Sequence, residues 1–423
     1  MKSMAHRARG SQVVPDGERG IVVGVDVSQE TLDYGAFRPD SRGAVAAAGQ
    51  DEAGFAKLGE LVAEFEGQGR EVWVAFEPTG PYSTCLARWL RGHGARVVQV
   101  NPYHVKRTKK VRDNSPHKSD GKDPGVIADL VWQGCYQQVM ASEGVYAELR
   151  VATREWASLV KKRTAIRNEL HAHLTVWFPE LRTVFKDSLC QSVRGMVRRF
   201  GSPQEAVRKG VRSVRAALRQ ASSGRTTKRA GAVWQAATAT VAPPQGQQAR
   251  RRSILASLTL LELVEARQEQ LGGELEALLA QLPEAQSLVS VAGVGTITAA
   301  GLLGECGDLG AYDTYAQVEK HLGLNLYSIS SGKRQGRCHI SKRGCSWGRY
   351  LMCHIGLMQT RRGGRYHEFA QRQKQQGKST GQIRVAAGRK LLRLLYALAR
   401  DRALYDPGRS LTGAGARDGQ VIH

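Results

Sequence analysis

The chain has 423 residues, with 62 Lys and Arg against 38 Asp and Glu, a formal charge of +24. That balance excludes an ordinary metabolic enzyme with no polyanionic partner, and a 41% hydrophobic content excludes a wholly disordered basic tail. Seven scattered cysteines without a C-x-x-C pair fit reduced thiols in a cytosol better than a disulfide framework.

Residues 1–18 read as a flexible basic tail. Lys2, Arg7, Arg9 and Arg19 occur near the start without an apolar stretch, so no secretory signal is expected. Ile21 to Asp26 (IVVGVD) is a β-branched strand, and Leu32 to Phe37 is a second strand that forms a hairpin with it, leaving Asp26 near the turn. Helical spacing follows over Phe55, Leu58, Leu61, Val62 and Phe65. Glu71 to Phe76 (EVWVAF) is then a strand ended by Glu77, Pro78, Thr79 and Gly80. A helix from about Tyr82 to His93 and a strand Ala95 to Val100, closed by Asn101 and Pro102, complete an alternation that implies an α/β sheet over residues 19–140.

Residues 141–285 carry two heptad registers. The first runs from Leu149 to Trp177 with Arg163 and His173 as breaks, and the second from Ile254 to Leu282 with Ser257 and Gln268 as breaks. Such a pair predicts an antiparallel hairpin or a dimer-forming coiled coil. Between them, at about 185–252, lies a basic insertion, expected to be partly helical and either to lie on nucleic acid or to stay mobile.

The last part, 286–405, opens with Leu288 to Gly307, which has the form of a helix-hairpin-helix turn. Gly293 and Gly295 would let backbone amides approach a phosphate, or would simply let two helices pack closely. With four glycines between Leu288 and Gly304, this longest uncharged run is no bilayer span, which needs about 20 mostly apolar residues. Beyond it, Ser331 to Arg400 holds 17 Lys and Arg against Glu368 alone. A solvated face mixes both signs, so this is the footprint of a protein that neutralises phosphates. Residues 406–423 read as a flexible tail.

Four carboxylates stand where acids are structurally unhelpful: Asp26 after a buried strand, Glu77 at the end of another, and Asp120 and Asp123 in HKSDGKDPGVIADL. Oxygen ligands from strand ends and a helix start suit a pair of Mg²⁺ ions, with Mn²⁺ as a substitute. Taken singly, Asp26 also suits a turn, and Asp123 before Pro124 suits a helix start.

Together, GVDVSQETLD, FEPTGPY, NPYHVKR and KSDGKD resemble the RuvC-like (RNase H-like) domain of the DEDD transposases of insertion-sequence family one-ten. SVAGVGTITAAGLLGECGDLGAY, HLGLNLYSISSGKRQGRCHISKRG and AAGRKLLRLLYAL resemble that family's C-terminal transposase domain, which is expected to be mainly α. The insertion at 185–250 has no counterpart in the pattern. The resemblance implies that Asp26, Glu77, Asp120 and Asp123 bind Mg²⁺. It implies a serine nucleophile at Ser331, for which Ser330 and Ser328 are alternatives. Lys333, Arg334, Arg337, Lys342 and Arg343 crowd the same loop and suit a scissile phosphate.

The resemblance also implies strand exchange through a covalent phosphoserine, donor and target DNA, a structured guide RNA from the element, and a homo-oligomer from dimer to tetramer. The setting is the cytoplasm and nucleoid of a prokaryotic cell, without a membrane. A junction-resolving nuclease that uses water, and a catalytically idle nucleic-acid-binding scaffold, are the competing readings. Two patterns are decoys. Gly377-Lys378-Ser379 has Arg372 where a P-loop needs its first glycine, and Cys338, His339, Cys345, Cys353 and His354 match no common zinc spacing.

Overall fold

In the computed structural model, residues 14–39, 41, 43–80, 82–112, 123–138, 143–328 and 338–407 are described. The chain divides into two compact units, 1–141 and 142–423.

The first unit is built on one mixed sheet. Its elements in order are β1 (Gly20–Val27), β2 (Thr31–Phe37), β3 (Val45–Gly49), α1 (Glu52–Gly67), β4 (Glu71–Phe76), α2 (Tyr82–Gly92), β5 (Arg96–Val100), α3 (Pro102–Arg112), α4 (Asp123–Trp132) and β6 (Tyr136–Gln138). The strands lie in the order β3-β2-β1-β4-β5-β6. β1, β2 and β3 form an antiparallel meander, β4 runs parallel to β1 and to β5, and β6 closes the edge antiparallel to β5. This sheet is compatible with the RuvC-like fold.

β1 is central and buried on both faces, which is why it reads as an unbroken β-branched run rather than an alternation. Its odd residues Ile21, Val23, Val25 and Val27 pack with Phe55, Leu58 and Val62 of α1 and with Leu86 and Leu90 of α2. Val22, with Trp73 and Ala75 of β4 and Val98 of β5, faces the opposite layer, where Val126, Ile127, Leu130 and Val131 of α4 cover the sheet. α1 starts where Asp51 accepts a hydrogen bond from the Gly54 amide at 2.8 Å, an ordinary N-cap.

The second unit contains α5 (Gly144–Trp177), α6 (Leu181–Val184), α7 (Gln191–Arg199), α8 (Pro203–Ser222), α9 (Ala230–Thr238), α10 (Gln247–Leu279), α11 (Pro283–Val289), α12 (Thr296–Cys306), α13 (Tyr315–His321), β7 (Leu326–Ser328), β8 (Cys338–Ile340), α14 (Ser346–Gln359), α15 (His367–Gln375) and α16 (Thr380–Asp401). The two heptad stretches lie on α5 and α10, which pack against each other within one chain.

The polar breaks in the heptads meet partners across this seam. Arg163 Nη1 donates to Gln268 Oε1 at 2.9 Å, and Ser257 Oγ donates to Glu169 Oε1 at 2.9 Å. Near one end Arg267 forks onto Glu155 at 2.8 and 3.0 Å. Leu149 near the start of α5 shares a core with Leu271 and Leu275, and Leu170 near its end shares one with Leu258, the signature of an antiparallel pair.

The basic stretch between the heptads is folded, not a loose insertion. α6 to α9 wrap the far end of the hairpin around a core of its own, in which Trp177, Phe178, Phe200, Val214, Leu218 and Val233 join Leu170 and Leu258 of the hairpin. Most of its arginines are exposed, but one ties it to the hairpin. Arg194, nearly buried, forks onto Glu265 of α10 at 3.1 and 3.2 Å and donates through Nε to the Leu189 carbonyl at 2.9 Å.

At the other end of the hairpin, Leu149, Leu271 and Leu275 share a core with α12, α14 and α16. Glu305 of α12 is buried there and takes two hydrogen bonds from Arg154, at 2.7 and 3.0 Å. Burial alone would raise its pKa, but those bonds and the charges of Arg154 and Arg150 outweigh it and hold the carboxylate below its usual range. Among the described residues no helix is long and apolar enough to cross a membrane.

The Arg163–Gln268 bond sets the hairpin register as a single polar pair sets that of a coiled coil. Gln268→Leu is expected to cost about 1–3 kcal/mol, the range for breaking a hydrogen bond to a charged group. The double replacement with Arg163→Leu should regain most of that cost while loosening the register. Denaturant titration of the two single variants and the double variant checks this, and full additivity of the single losses would contradict it.

Candidate active site at the sheet's carboxylate rim

The parallel register pairs Val25 with Phe76 as the last residues of the β1–β4 ladder, so Asp26 and Glu77 are the next residue on each strand. Alternation along the strands puts both on the face that bears Val22, Trp73 and Ala75, the face covered by α4. Asp123 is the first residue of α4. Its approach depends on Gly24. A Cβ at that position would lie 2.0 Å from the Pro124 carbonyl oxygen, so only glycine lets the start of α4 rest on β1 one pleat below Asp26.

Asp26, Glu77 and Asp123 therefore converge on one rim, while Asp120 lies outside the described residues. Their electrostatics record the convergence. The Asp26 carboxyl is pushed up to about 6, first by burial, then by the negative charge of Asp123; Lys109 partly offsets this, and Glu77 adds to it. Glu77 is raised as well, by burial first and also by Asp123, again against Lys109. Asp26 and Asp123 are within hydrogen-bonding reach of each other.

Lys109 of α3, which the motif reading did not single out, forms an ion pair with Asp123. α3 is placed for this by Asn101, whose Oδ1 accepts from the Tyr103 amide at 2.9 Å where β5 ends. Two residues past Glu77, Thr79 Oγ1 is buried and has no hydrogen-bond partner among the described residues. The signal for Lys109 was present in the basic run Lys106, Arg107, Lys109, Lys110, but nothing in it marked which of these faces the acids.

Among the described residues, no three His, Cys, Asp or Glu side chains already stand at the spacing of a metal site. The donor set nevertheless fits a hard divalent cation. It offers carboxylate oxygens alone, and their mutual repulsion is partly offset in this structure by the Lys109 ammonium group.

In the second unit, β7 and β8 pair antiparallel, Leu326 with Ile340 and Ser328 with Cys338. They form the stem whose connecting residues include Ser331, Lys333, Arg334 and Arg337, all outside the described residues. Ser328, the alternative nucleophile, is exposed on the stem, and Ser330 is outside the described residues. Lys342 and Arg343 follow the stem and are exposed. Lys342 adopts a left-handed backbone, φ +54°, with its amide donating to the Gly323 carbonyl at 3.0 Å.

The turn between α11 and α12 has a structural reason for one of its glycines. Gly293 sits at φ +86°, and the Gln359 side-chain amide donates to the carbonyl of Ala292 beside it. Gly295 is the residue from which α12 starts.

Comparison with known proteins bears on these two sites separately. A family model described as Transposase, of the DEDD class, matches residues 23–179, and one described as Transposase IS116/IS110/IS902 family matches residues 285–371. The chain belongs to the IS110 family of transposases. It is 27% identical over 367 residues to the Insertion element IS116 uncharacterized 44.8 kDa protein of Streptomyces clavuligerus, covering 86% of this chain and 90% of that protein. It is also 27% identical over 338 residues to a probable family 20 transposase of Pseudomonas aeruginosa, covering 79% and 86%.

As a transposase of an insertion element, the chain is a DNA-cutting and DNA-transferring enzyme whose DEDD domain points to divalent-metal use. The first match holds Asp26, Glu77, Asp120 and Asp123, and the second holds Ser331. The span between them takes in α6 to α10.

Because the folded Asp26 carboxyl titrates near 6 and an unfolded aspartate near 4, the native state binds more protons between those values. Stability is therefore lost as pH rises through about 6. Asp26→Asn is expected to raise the melting temperature at neutral pH by roughly 2–8 °C while abolishing cleavage. Calorimetry at pH 4.5 and 7.5 checks it; a variant that melts lower than wild type at both would contradict the repulsion described here.

Proposed function

We propose that the transposase cuts and exchanges DNA strands with a two-part site. The carboxylate rim of Asp26, Glu77, Asp120 and Asp123 holds divalent metal, Mg²⁺ with Mn²⁺ as a substitute, and Ser331 is the nucleophile. The observation that carries the reading is the convergence of three acids, two of them with raised pKa values, on one rim of the sheet. Carboxyl pKa values raised by burial and a specific neighbouring charge cluster at functional sites.

Metal bound by these carboxylates would neutralise charge on the attacking and leaving oxygens of a phosphodiester. The residues of the chain account for the remainder. The Ser331 hydroxyl attacks the phosphorus, its proton passes to a nearby base, and the leaving deoxyribose oxygen takes up a proton as its bond breaks. Lys333, Arg334, Arg337, Lys342 and Arg343 offset the phosphate charge, and the turn at Gly293 and Gly295 offers backbone amides to a neighbouring phosphate. A phosphoserine link conserves the energy of the broken bond, so strands are rejoined without ATP.

Two sites must act on four DNA ends, which calls for a homo-oligomer, a dimer to a tetramer. Choice of donor and target is assigned to a structured RNA encoded by the element. The +24 charge supplies the polyanion affinity for both nucleic acids.

The test is label transfer. Purified protein with Mg²⁺, the element's flanking noncoding RNA and end-labelled donor and target DNA is run on a denaturing protein gel. Label on the wild-type band, lost in Ser331→Ala and in Asp26→Ala, is the expected result. Cleaved DNA with no label on the protein would instead assign hydrolysis by water.

A further inference from the structure

One feature of the second unit has no part in the proposed chemistry. α14 buries Leu351, Met352 and Ile355 in the core, and on another face carries Trp347, Tyr350 and His354. These rings form a near-parallel ladder. Trp347 and Tyr350 have centroids 5.4 Å apart with planes 13° apart, and Tyr350 and His354 are 5.6 Å apart with planes at 16°. Trp347 is half-buried against the core, whereas Tyr350 is 51% exposed and His354 is exposed, so the outer two rings are held parallel in water at one helix surface.

The surroundings select the partner. Exposed Lys342 and Arg343 precede the helix, and exposed Arg361 and Arg362 follow it. Over residues 331–400 there are 17 basic residues and one acid, Glu368. A partner must offer flat π-faces and dense negative charge together. Unpaired nucleotides do so, whereas the bases of a duplex are already stacked on one another and out of reach of a side-chain ring.

We propose that the Trp347–Tyr350–His354 ladder is a stacking platform for unpaired bases of single-stranded DNA. It holds a strand that has left its duplex while the adjoining cations contact the backbone. The proposal rests on the family's DNA substrate alone, and is independent of Ser331 and of the metal-bearing rim. The ring order fixes the direction of the contact: Trp347 is the end packed against the core, so bases extend the ladder past His354.

The experiment is equilibrium binding without divalent metal, so that loss of cleavage chemistry does not enter. The full-length protein is titrated against fluorescein-labelled oligothymidylate, the same strand paired with oligoadenylate, and oligouridylate of equal length. Tyr350→Ala is expected to weaken oligothymidylate binding by about 5- to 100-fold, the factor for losing a stacked base, and to leave duplex affinity within about twofold. Tyr350→Phe, which keeps the ring, should bind as wild type, and His354→Ala, which removes the ring the bases meet, should lose at least as much as Tyr350→Ala. As a second readout, a strand carrying 5-iodouracil should photocrosslink to the peptide that contains Tyr350. Equal losses on single strand and duplex, no loss on either, or Tyr350 dependence confined to oligouridylate would each overturn the proposal.

Discussion

The site depends on a contact between two backbones. At Gly24 the strand β1 has no side chain on the face that α4 covers, and the Pro124 carbonyl occupies the space a Cβ would take. That contact fixes where α4 begins, and so where Asp123 stands relative to Asp26. The parallel β1–β4 register fixes Glu77 beside Asp26 independently. Three carboxylates are thus assembled by two features of the hydrogen-bonded scaffold rather than by mutual attraction, which among like charges does not exist. The fold supplies the work of bringing them together, and burial first, with the charge of Asp123 adding to it, raises the Asp26 and Glu77 carboxyls.

The second unit solves a different problem. A helical hairpin more than thirty residues long has many registers of similar apolar burial, since leucines fit leucines at every heptad step. Arg163 with Gln268 and Glu169 with Ser257 remove that degeneracy, because a slipped register would leave the buried Gln268 carbonyl and Ser257 hydroxyl without these partners. The far end of the hairpin is sealed by α6 to α9, and the near end by the core that carries α12, α14 and α16. A well-registered hairpin therefore joins two cores, and mutations in the seam should be felt in both.

Much of this was legible in the sequence, for definite reasons. IVVGVD and EVWVAF are recognisable because strands buried on both faces need unbroken β-branched and aromatic runs, and the acids closing them stand out against that background. The heptad breaks at 163, 173, 257 and 268 were visible, but not that 163 faces 268, since pairing is decided by the turn geometry of a folded segment far away. That segment, 185–252, is partly helical as its composition suggests, and it differs from the expectation only in having a packed core of its own. Arginine density does not tell which guanidinium groups face solvent, as those of Arg208, Arg212 and Arg215 do, and which, like Arg194, fork onto a glutamate of their own chain. β3, an alanine-rich strand, offers only Val45 as a β-branched residue. Lys109 was one cation among several, and only the placement of α3 distinguishes it.

The central claim is that the rim formed by Asp26, Glu77 and Asp123 is where divalent metal sits. The most direct measurement is metal-directed backbone cleavage. Fe²⁺ is substituted for Mg²⁺ in the full-length protein, peroxide and ascorbate are added, and the fragments are mapped by mass spectrometry. The account predicts cuts beside residues 26, 77 and 123, suppressed by excess Mg²⁺ and absent in Asp26→Asn. Cuts clustered elsewhere in the chain, or an unchanged pattern in that variant, would contradict it.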